Sequence, residues 1–275
     1  MTTLRAMTFN VRQLDGDDRN HCWDRRRDAV VETIASRAPD LLGTQEIHRE
    51  QSSYLLSHFP EYAVFGRGRY GDTRDKHNQV FYRRERLVLL ESGETWFSTT
   101  PEVPGSRDWG IPKPRMITWG RLRDSAGAEI AVLNTHLPYG READHARRQA
   151  ARLIREQLLR FPVRLPALVM GDFNAPAGGE IYHMLTTDLE DAWTAANCVL
   201  GPEGTLHGFG RLLGGRIDWI LYRHLSQVHR AETITDVPRG VYPSDHYPVC
   251  VTFAAPGPQP ERGDVCKLAD TTYMN

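Results

Sequence analysis

The chain has 275 residues, 40% of them apolar, 9% aromatic and 25% charged, a globular composition that excludes disorder over most of its length. No apolar run approaches the roughly 20 residues that a bilayer requires, which excludes a membrane-spanning helix. Net charge is −1, from 34 Lys+Arg against 35 Asp+Glu, which excludes a strongly basic nucleic-acid footprint but leaves room for a local basic cleft.

In chain order, Met7 to Val11 alternates and is β-rich, so it reads as a strand. Asp24 to Ala38 reads as a helix with Val30, Ile34 and Ala38 on one face, stopped by Pro39. Leu41 to Glu46 is a short buried strand ending in Gln45-Glu46, and Ser52 to His58 reads as a helix. Strands are expected at Val80 to Arg83, Leu87 to Phe97, Thr118 to Leu122 and Glu129 to His136. Thr99 to Pro114, rich in Pro and Gly, is expected to be a long loop of the kind that carries function on a rigid scaffold. Ala143 to Leu159 is the clearest helix, with Ala146, Ala150, Leu153, Ile154 and Leu158 on one side. Leu168 to Gly171 is a strand running into Asp172-Phe173-Asn174. Ile217 to Tyr222 and Pro248 to Phe253 complete the set.

Many strands with few helices between them, and no strict βαβ alternation, favour two packed sheets with helices on their outer faces over a doubly wound sheet. One domain is expected over residues 1–254, followed by an ill-ordered tail at 255–275. The four cysteines, Cys22, Cys198, Cys250 and Cys266, contain no CxxC pair and fit neither a zinc-site spacing nor a dense disulfide framework. Met1 to Asn10 lacks the charged start, apolar stretch and cleavage site of a secretory signal, so the expected compartment is the cytoplasm. The basic residues are nearly all Arg, with Lys only at Lys76, Lys113 and Lys267. Arg25-Arg26-Arg27 and Arg147-Arg148 read as solvated helix faces.

Polar residues end several of the apolar strands: Asn10, Glu46, His136, Asp172 with Asn174, Asp218, and Asp245 with His246. An acid set within Leu-Leu-Gly-Thr-Gln-Glu or Arg-Ile-Asp-Trp-Ile-Leu is costly to bury unpaired. Any one of these could be a strand-end ion pair; several together point to a shared polar site at one end of the sheets. Hard oxygen donors with two histidines, and no nucleophile elbow, suit Mg²⁺ or Mn²⁺ and water attack on a phosphate ester.

The motifs themselves are Thr8-Phe9-Asn10-Val11, Gln45-Glu46, Phe81-Tyr82-Arg83, Asn134-Thr135-His136, Gly171-Asp172-Phe173-Asn174, Arg216-Ile217-Asp218-Trp219-Ile220 and Ser244-Asp245-His246-Tyr247-Pro248. In this order the set resembles the endonuclease/exonuclease/phosphatase superfamily, which includes deoxyribonuclease I, abasic-site endonucleases, deadenylases, inositol polyphosphate 5-phosphatases and neutral sphingomyelinases. The resemblance spans Thr8 to Phe253. It implies a four-layer α/β sandwich, two packed mixed β-sheets flanked by helices, with one active site at the strand ends. Glu46 matches the principal metal ligand, Asn10 the amide beside it and Asp245 a second metal-side carboxylate. Asp172 and Asn174 match the pair that positions the attacking water or substrate oxygen. His246 matches the histidine facing the phosphoryl group, Asp218 the carboxylate that orients it, and His136 a second histidine serving as general acid or phosphate ligand.

One stretch departs from the family pattern. The position of a Glu that commonly precedes the Phe-Tyr-Arg strand and supports the histidine matching His136 falls on Lys76, and Asp75 could substitute only if the strand shifts by one. A cation there is expected to lower the basicity of His136 or to bind a substrate phosphate. Gly93 to Pro101, Pro114-Arg115 and Gly204 to Phe209 resemble a bacterial subgroup of the superfamily with poorly defined substrates. In it Arg115 is a candidate phosphate clamp, and Trp109 and Phe209 are candidates for stacking a base or ring. The expected function is a Mg²⁺-dependent phosphoesterase with no membrane partner, acting as a monomer on a small phosphorylated molecule such as a nucleotide, sugar or inositol phosphate. The alternative is a nuclease or deadenylase-like exonuclease acting on nucleic acid.

Overall fold

Strand alternation sorts the side chains of this protein into layers. In the computed structural model, which describes residues 3–16, 18–212 and 214–254, strand β1 (Thr3–Asn10) sends Leu4 and Ala6 to one side and Met7 and Phe9 to the other. The first side faces a second sheet; the other faces helices. The expected tail, 255–275, lies outside the described residues.

The elements that follow are α1 (Trp23–Arg37), β2 (Leu41–Gln45), α2 (Arg49–His58), β3 (Tyr62–Phe65), β4 (Val80–Arg83), β5 (Leu87–Trp96), β6 (Met116–Asp124) and β7 (Glu129–His136). Next come α3 (Asp144–Leu159), β8 (Ala167–Asp172), α4 (Glu180–Thr186), β9 (Glu190–Asp191), α5 (Ala192–Ala195), β10 (Cys198–Leu200), β11 (Asp218–Arg223), β12 (Val228–Thr233) and β13 (Val249–Ala254). Among the described residues, seven strands pair in the order β10-β12-β13-β1-β2-β4-β3 and six in the order β5-β6-β7-β8-β11-β9. Both sheets are mixed: β1–β2 and β7–β8 run parallel, β1–β13 and β8–β11 antiparallel.

Three apolar layers hold this together. Leu4, Ala6, Val132, Leu168, Met170 and Ile220 fill the space between the sheets. Helices α1 and α2 cover Met7, Phe9, Leu42 and Phe81 on one outer face. On the other, α3 lays Ala150, Ile154 and Leu158 over Leu133, Val169 and Leu221. Each fully buried Leu or Ile contributes about 1.5–3 kcal/mol. Between Trp96 and Met116 the chain forms turns but no helix or strand, as its Pro and Gly content predicts.

The sequence reading differs from the structure in two respects. It does not find β3, α4, β9, α5, β10 or β12. Most are very short, and in β12 a register shift between Val228 and Arg230 breaks the alternation by which a strand is recognised. The arginine runs are not wholly solvated faces: Arg26 and Arg147 are buried. Arg26 donates to the carbonyls of His21, Val11, Pro243, Arg12 and Gln13, tying together the loops beside β1 and β13. Burial lowers its pKa to about 10, so it remains a cation.

Candidate active site

The alternation that packs the core also gathers the polar strand ends. In β8, Leu168 and Met170 face the opposite sheet, so Asp172 does too. The same parity applies to Asn10 after Ala6, to His136 after Val132, and to Asp218 before Ile220. Register completes the alignment: His136 lies opposite Asp172 on one side, and Asp218 opposite Asp172 on the other. Phe173 and Trp219, the neighbours of the two aspartates, stack in the outer layer with centroids 4.3 Å apart and fix both strand ends. Gly171 is required here, because a Cβ would come within 2.1 Å of the Thr135 carbonyl oxygen and its φ of +152° disfavours an L residue.

Asp172 is the hub. Its Oδ2 accepts from Asn10 Nδ2 at 3.0 Å and lies 3.3 Å from His136 Nε2, while its Oδ1 accepts from the Asn174 backbone N–H at 2.9 Å. Burial, with Asp218 alongside, pushes this carboxyl up to about 7. His246 Nδ1 is 2.9 Å from Asp218 Oδ2, and its Nε2 is 3.9 Å from Asp172 Oδ2. Burial by itself would lower His246; Asp218 and Asp172 outweigh it and push the imidazole up to about 10. His246 is therefore an imidazolium at neutral pH. His136 is the opposite case. Burial, reinforced by Arg115, Arg69 and Lys76, holds it well below the usual histidine range. Its Nδ1 is buried without a hydrogen-bond partner, at the position where the sequence lacks the supporting acid.

Glu46 reaches the site by breaking the alternation. Continued as a strand, β2 would send it to the helix side with Leu42; instead its backbone is left-handed, φ 63°. Its Oε2 accepts from Lys76 Nζ at 3.1 Å and from the Gln13 backbone N–H at 3.2 Å. Burial disfavours the charged form, but Lys76, Arg12 and Arg115 together bring Glu46 down to about 2. Arg12 also pairs with Asp18 at 2.8 Å and approaches Asp245 at 3.5 Å. The Asn10 Oδ1 accepts from the Arg12 backbone N–H at 3.0 Å. Asn10, Glu46 and Asp245 thus share Arg12 as a neighbour. Lys76 is engaged by Glu46, and Asn174 has its side-chain amide on the Leu137 carbonyl at 3.0 Å.

Trp109 packs against the outer layer that contains Phe97 and Phe161, and Phe209 stacks on His21 at 4.2 Å. Each therefore has a partner within the protein. Among the described residues, Asp172, Asp218 and His246 form a group whose ligating atoms lie within 4.8 Å of one another, close enough to hold a metal ion. The hydrogen bond of His246 Nδ1 to Asp218 and its retained proton favour acid–base use of this group. Glu46 is the better ligand for a hard cation: an ionised carboxylate that shares Arg12 as a neighbour with Asp245 and the Asn10 amide oxygen.

Four groups at or beside the site had no role in the sequence analysis, although three of them lie in motifs it named. Gln45 Nε2 donates to Thr8 Oγ1 at 3.0 Å and Asn134 Oδ1 at 2.7 Å, stitching the two sheets beneath the site. Thr205 Oγ1 accepts from the backbone N–H groups of Ile217 and Asp218 at 3.0 and 3.2 Å. The backbone N–H groups of His207 and Gly208 both donate to the Asp245 carbonyl. Arg69 is 3% exposed and coupled electrostatically to Glu46, Arg115 and His136. Gln45, Thr205, His207 and Gly208 stand in named motifs, but their tasks, and Arg69 altogether, show only through proximity in space.

The pattern that defines the Endonuclease/Exonuclease/phosphatase family matches residues 7–246. The chain belongs to this family. Among solved structures, an endonuclease/exonuclease/phosphatase from Bacteroides vulgatus is 31% identical with a TM-score of 0.87, covering 92% of this chain and 99% of its own. A mannosyl-6-phosphatase from Bacteroides thetaiotaomicron is 29% identical with a TM-score of 0.84, covering 91% of this chain and 99% of its own. An uncharacterized protein of Acanthamoeba polyphaga mimivirus is 30% identical over 95 residues, 33% of this chain. The match spans 35% of that viral protein's length. Membership of the endonuclease/exonuclease/phosphatase family makes this chain a hydrolase, with the two flanked mixed sheets of its structural relatives. No helix among the described residues is long and apolar enough to cross a membrane.

Proposed function

We propose that this protein is a Mg²⁺-dependent phosphoesterase that hydrolyses a small phosphorylated molecule by in-line attack of water. The observation that carries this reading is the convergence of ionised Glu46 with the Asp172–Asp218–His246 array at one end of both sheets. Glu46, with Asn10 and Asp245, would hold the ion, which when bound supplies polarisation of a phosphoryl oxygen and charge for the leaving oxygen.

The chain's own groups perform the remaining tasks. Asp172, held at about 7, orients a water and accepts its proton near neutrality. Asn174 braces that carboxylate through its backbone N–H. His246, kept protonated by Asp218, donates to the charge that develops on the phosphoryl oxygens. Neutral His136 serves as a hydrogen-bonding group and not as a proton reservoir, because burial and three nearby cations disfavour its charged form.

Small substrates rank above nucleic acid because net charge is −1 and a number of the surface arginines pair with acids, as in Arg155–Asp188 and Arg160–Glu102. Likeness to the mannosyl-6-phosphatase points the same way. A panel of sugar, inositol and nucleotide phosphates, with a fluorescent oligonucleotide alongside, tests the reading. Hydrolysis of a small ester that EDTA abolishes and Mg²⁺ restores is expected. Full activity after exhaustive chelation, or turnover of the oligonucleotide alone, refutes it.

A further inference from the structure

Arg26, Arg69, Arg147 and Arg216 are buried arginines of the described fold. Three are compensated: Arg26 by five carbonyls, Arg147 by the Pro138 carbonyl and Asp144, and Arg216 by Asp191 at 2.8 Å. Arg69 is not. Its Nε and Nη2 are enclosed without a hydrogen-bond partner, and none of its side-chain nitrogens has an acid or carbonyl partner among the described residues. Arg115, beside it, has an enclosed Nη1 that is also unpartnered. An uncompensated buried cation costs several kcal/mol. Here buried Arg69 and half-buried Arg115 stand together without a direct partner, and the fold holds the first firmly: the Arg69 carbonyl accepts from Trp96 Nε1 at 2.6 Å, and its N–H donates to the Lys76 carbonyl at 3.1 Å.

We propose that Arg69 and Arg115 bind the non-bridging oxygens of a dianionic terminal phosphate, so that the preferred substrate is a phosphomonoester. The specification of monoester rests on the phosphoesterase reading above; the anion site does not. Charge matching decides between the ester classes. Arg12 is matched by Asp18 and Asp245, Lys76 by Glu46, and His246 by Asp218. Arg69 and Arg115 remain without a directly paired acid; Glu46, Asp75 and, for Arg115, Asp172 act on them only through space. A phosphomonoester carries close to two negative charges at neutral pH, a diester one. Guanidinium forks also match phosphate oxygens in shape. Arg69 is only 3% exposed, an opening that suits the end of a ligand and not a chain that continues past it.

The test compares wild type with Arg69→Met and Arg69→Lys in the full chain. Thermal unfolding in EDTA is followed with added inorganic phosphate, and kcat/KM is measured with Mg²⁺ on 4-nitrophenyl phosphate and bis(4-nitrophenyl) phosphate. Phosphate should raise the Tm of wild type, and its apparent affinity should fall at least about tenfold in Arg69→Met. The monoester-to-diester ratio of kcat/KM should fall about 30-fold, with partial recovery in Arg69→Lys. Without phosphate, Arg69→Met should melt no lower than wild type, because it removes a buried cation that has no hydrogen-bonded partner. A lower Tm with unchanged phosphate binding would make Arg69 structural and overturn the proposal. An equal loss on both esters, or a loss seen only with substrates that carry a second phosphate, would also overturn it. If wild type cleaves neither ester, the enzymatic reading fails while the phosphate titration still decides the anion site.

Discussion

At the scale of single residues, the site works by setting neighbouring groups to opposite protonation states. Asp218 keeps the His246 proton in place, so Asp218→Asn should leave the fold intact and lower kcat by about 10²–10⁴-fold, since a neutral amide cannot stabilise an imidazolium. The measurement is kcat together with the His246 imidazole titration by NMR; an unchanged titration would remove the pairing from the mechanism. Lys76 has a different role. Its ammonium, 3.1 Å from Glu46, competes with any cation for the same carboxylate. Lys76→Met should therefore lower the Mg²⁺ concentration for half-maximal activity by about tenfold, equivalent to about 1.4 kcal/mol. Equal Mg²⁺ requirements in the two proteins would show that the ammonium leaves Glu46 without cost when the ion binds.

Elements outside the main sheets carry the alignment of the site. The segment from Thr205 to Ile217 clamps Asp218 through the Thr205 hydroxyl and Asp245 through two backbone N–H groups. Thr205→Val preserves shape but leaves two backbone donors without their acceptor, at a cost of about 1–3 kcal/mol. Chemical denaturation should show that loss, and kcat should fall more than KM rises, because the array is displaced while the substrate contacts remain. His207, buried against Tyr247 in the same segment, is held neutral by burial, which lowers it to about 4. Its folded pKa lies below its unfolded value of about 6.5, so the unfolded chain binds the extra proton. The stability it contributes is complete above pH 6.5 and is lost as pH falls toward 4. Denaturation midpoints should accordingly drop less steeply with acid in His207→Gln than in wild type; parallel slopes would exclude this histidine as a source.

For the molecule as a whole, charge balance governs association. Its charges sum to −1, and a number of its surface arginines pair with acids; each such exposed pair contributes only about 0–1 kcal/mol to stability, so their main effect is to flatten the external field. Duplex DNA should bind weakly, and the affinity should change little with salt, because few phosphates would be neutralised. Fluorescence anisotropy across a salt series checks this. Submicromolar, steeply salt-dependent binding would place the nuclease reading first.

Strand periodicity determined much of this protein from sequence alone. The alternation in β1, β7 and β8 is a local property, as is the run of Ala150, Ile154 and Leu158 on α3, and each is fixed by backbone geometry whatever the rest of the chain does. Asn10, Glu46, His136, Asp172, Asp218 and Asp245 were legible because polar groups ending apolar strands contradict their surroundings. Arg69 was not. It lies in a glycine-rich loop where an arginine excites no contrast, and its lack of a partner is a property of three-dimensional neighbours. The same holds for Lys76 on Glu46, for Thr205 beneath Asp218, and for burial of Arg26. Charges, hydrogen bonds and desolvation depend on distances between residues far apart in the chain, and those distances exist only once the two sheets have packed.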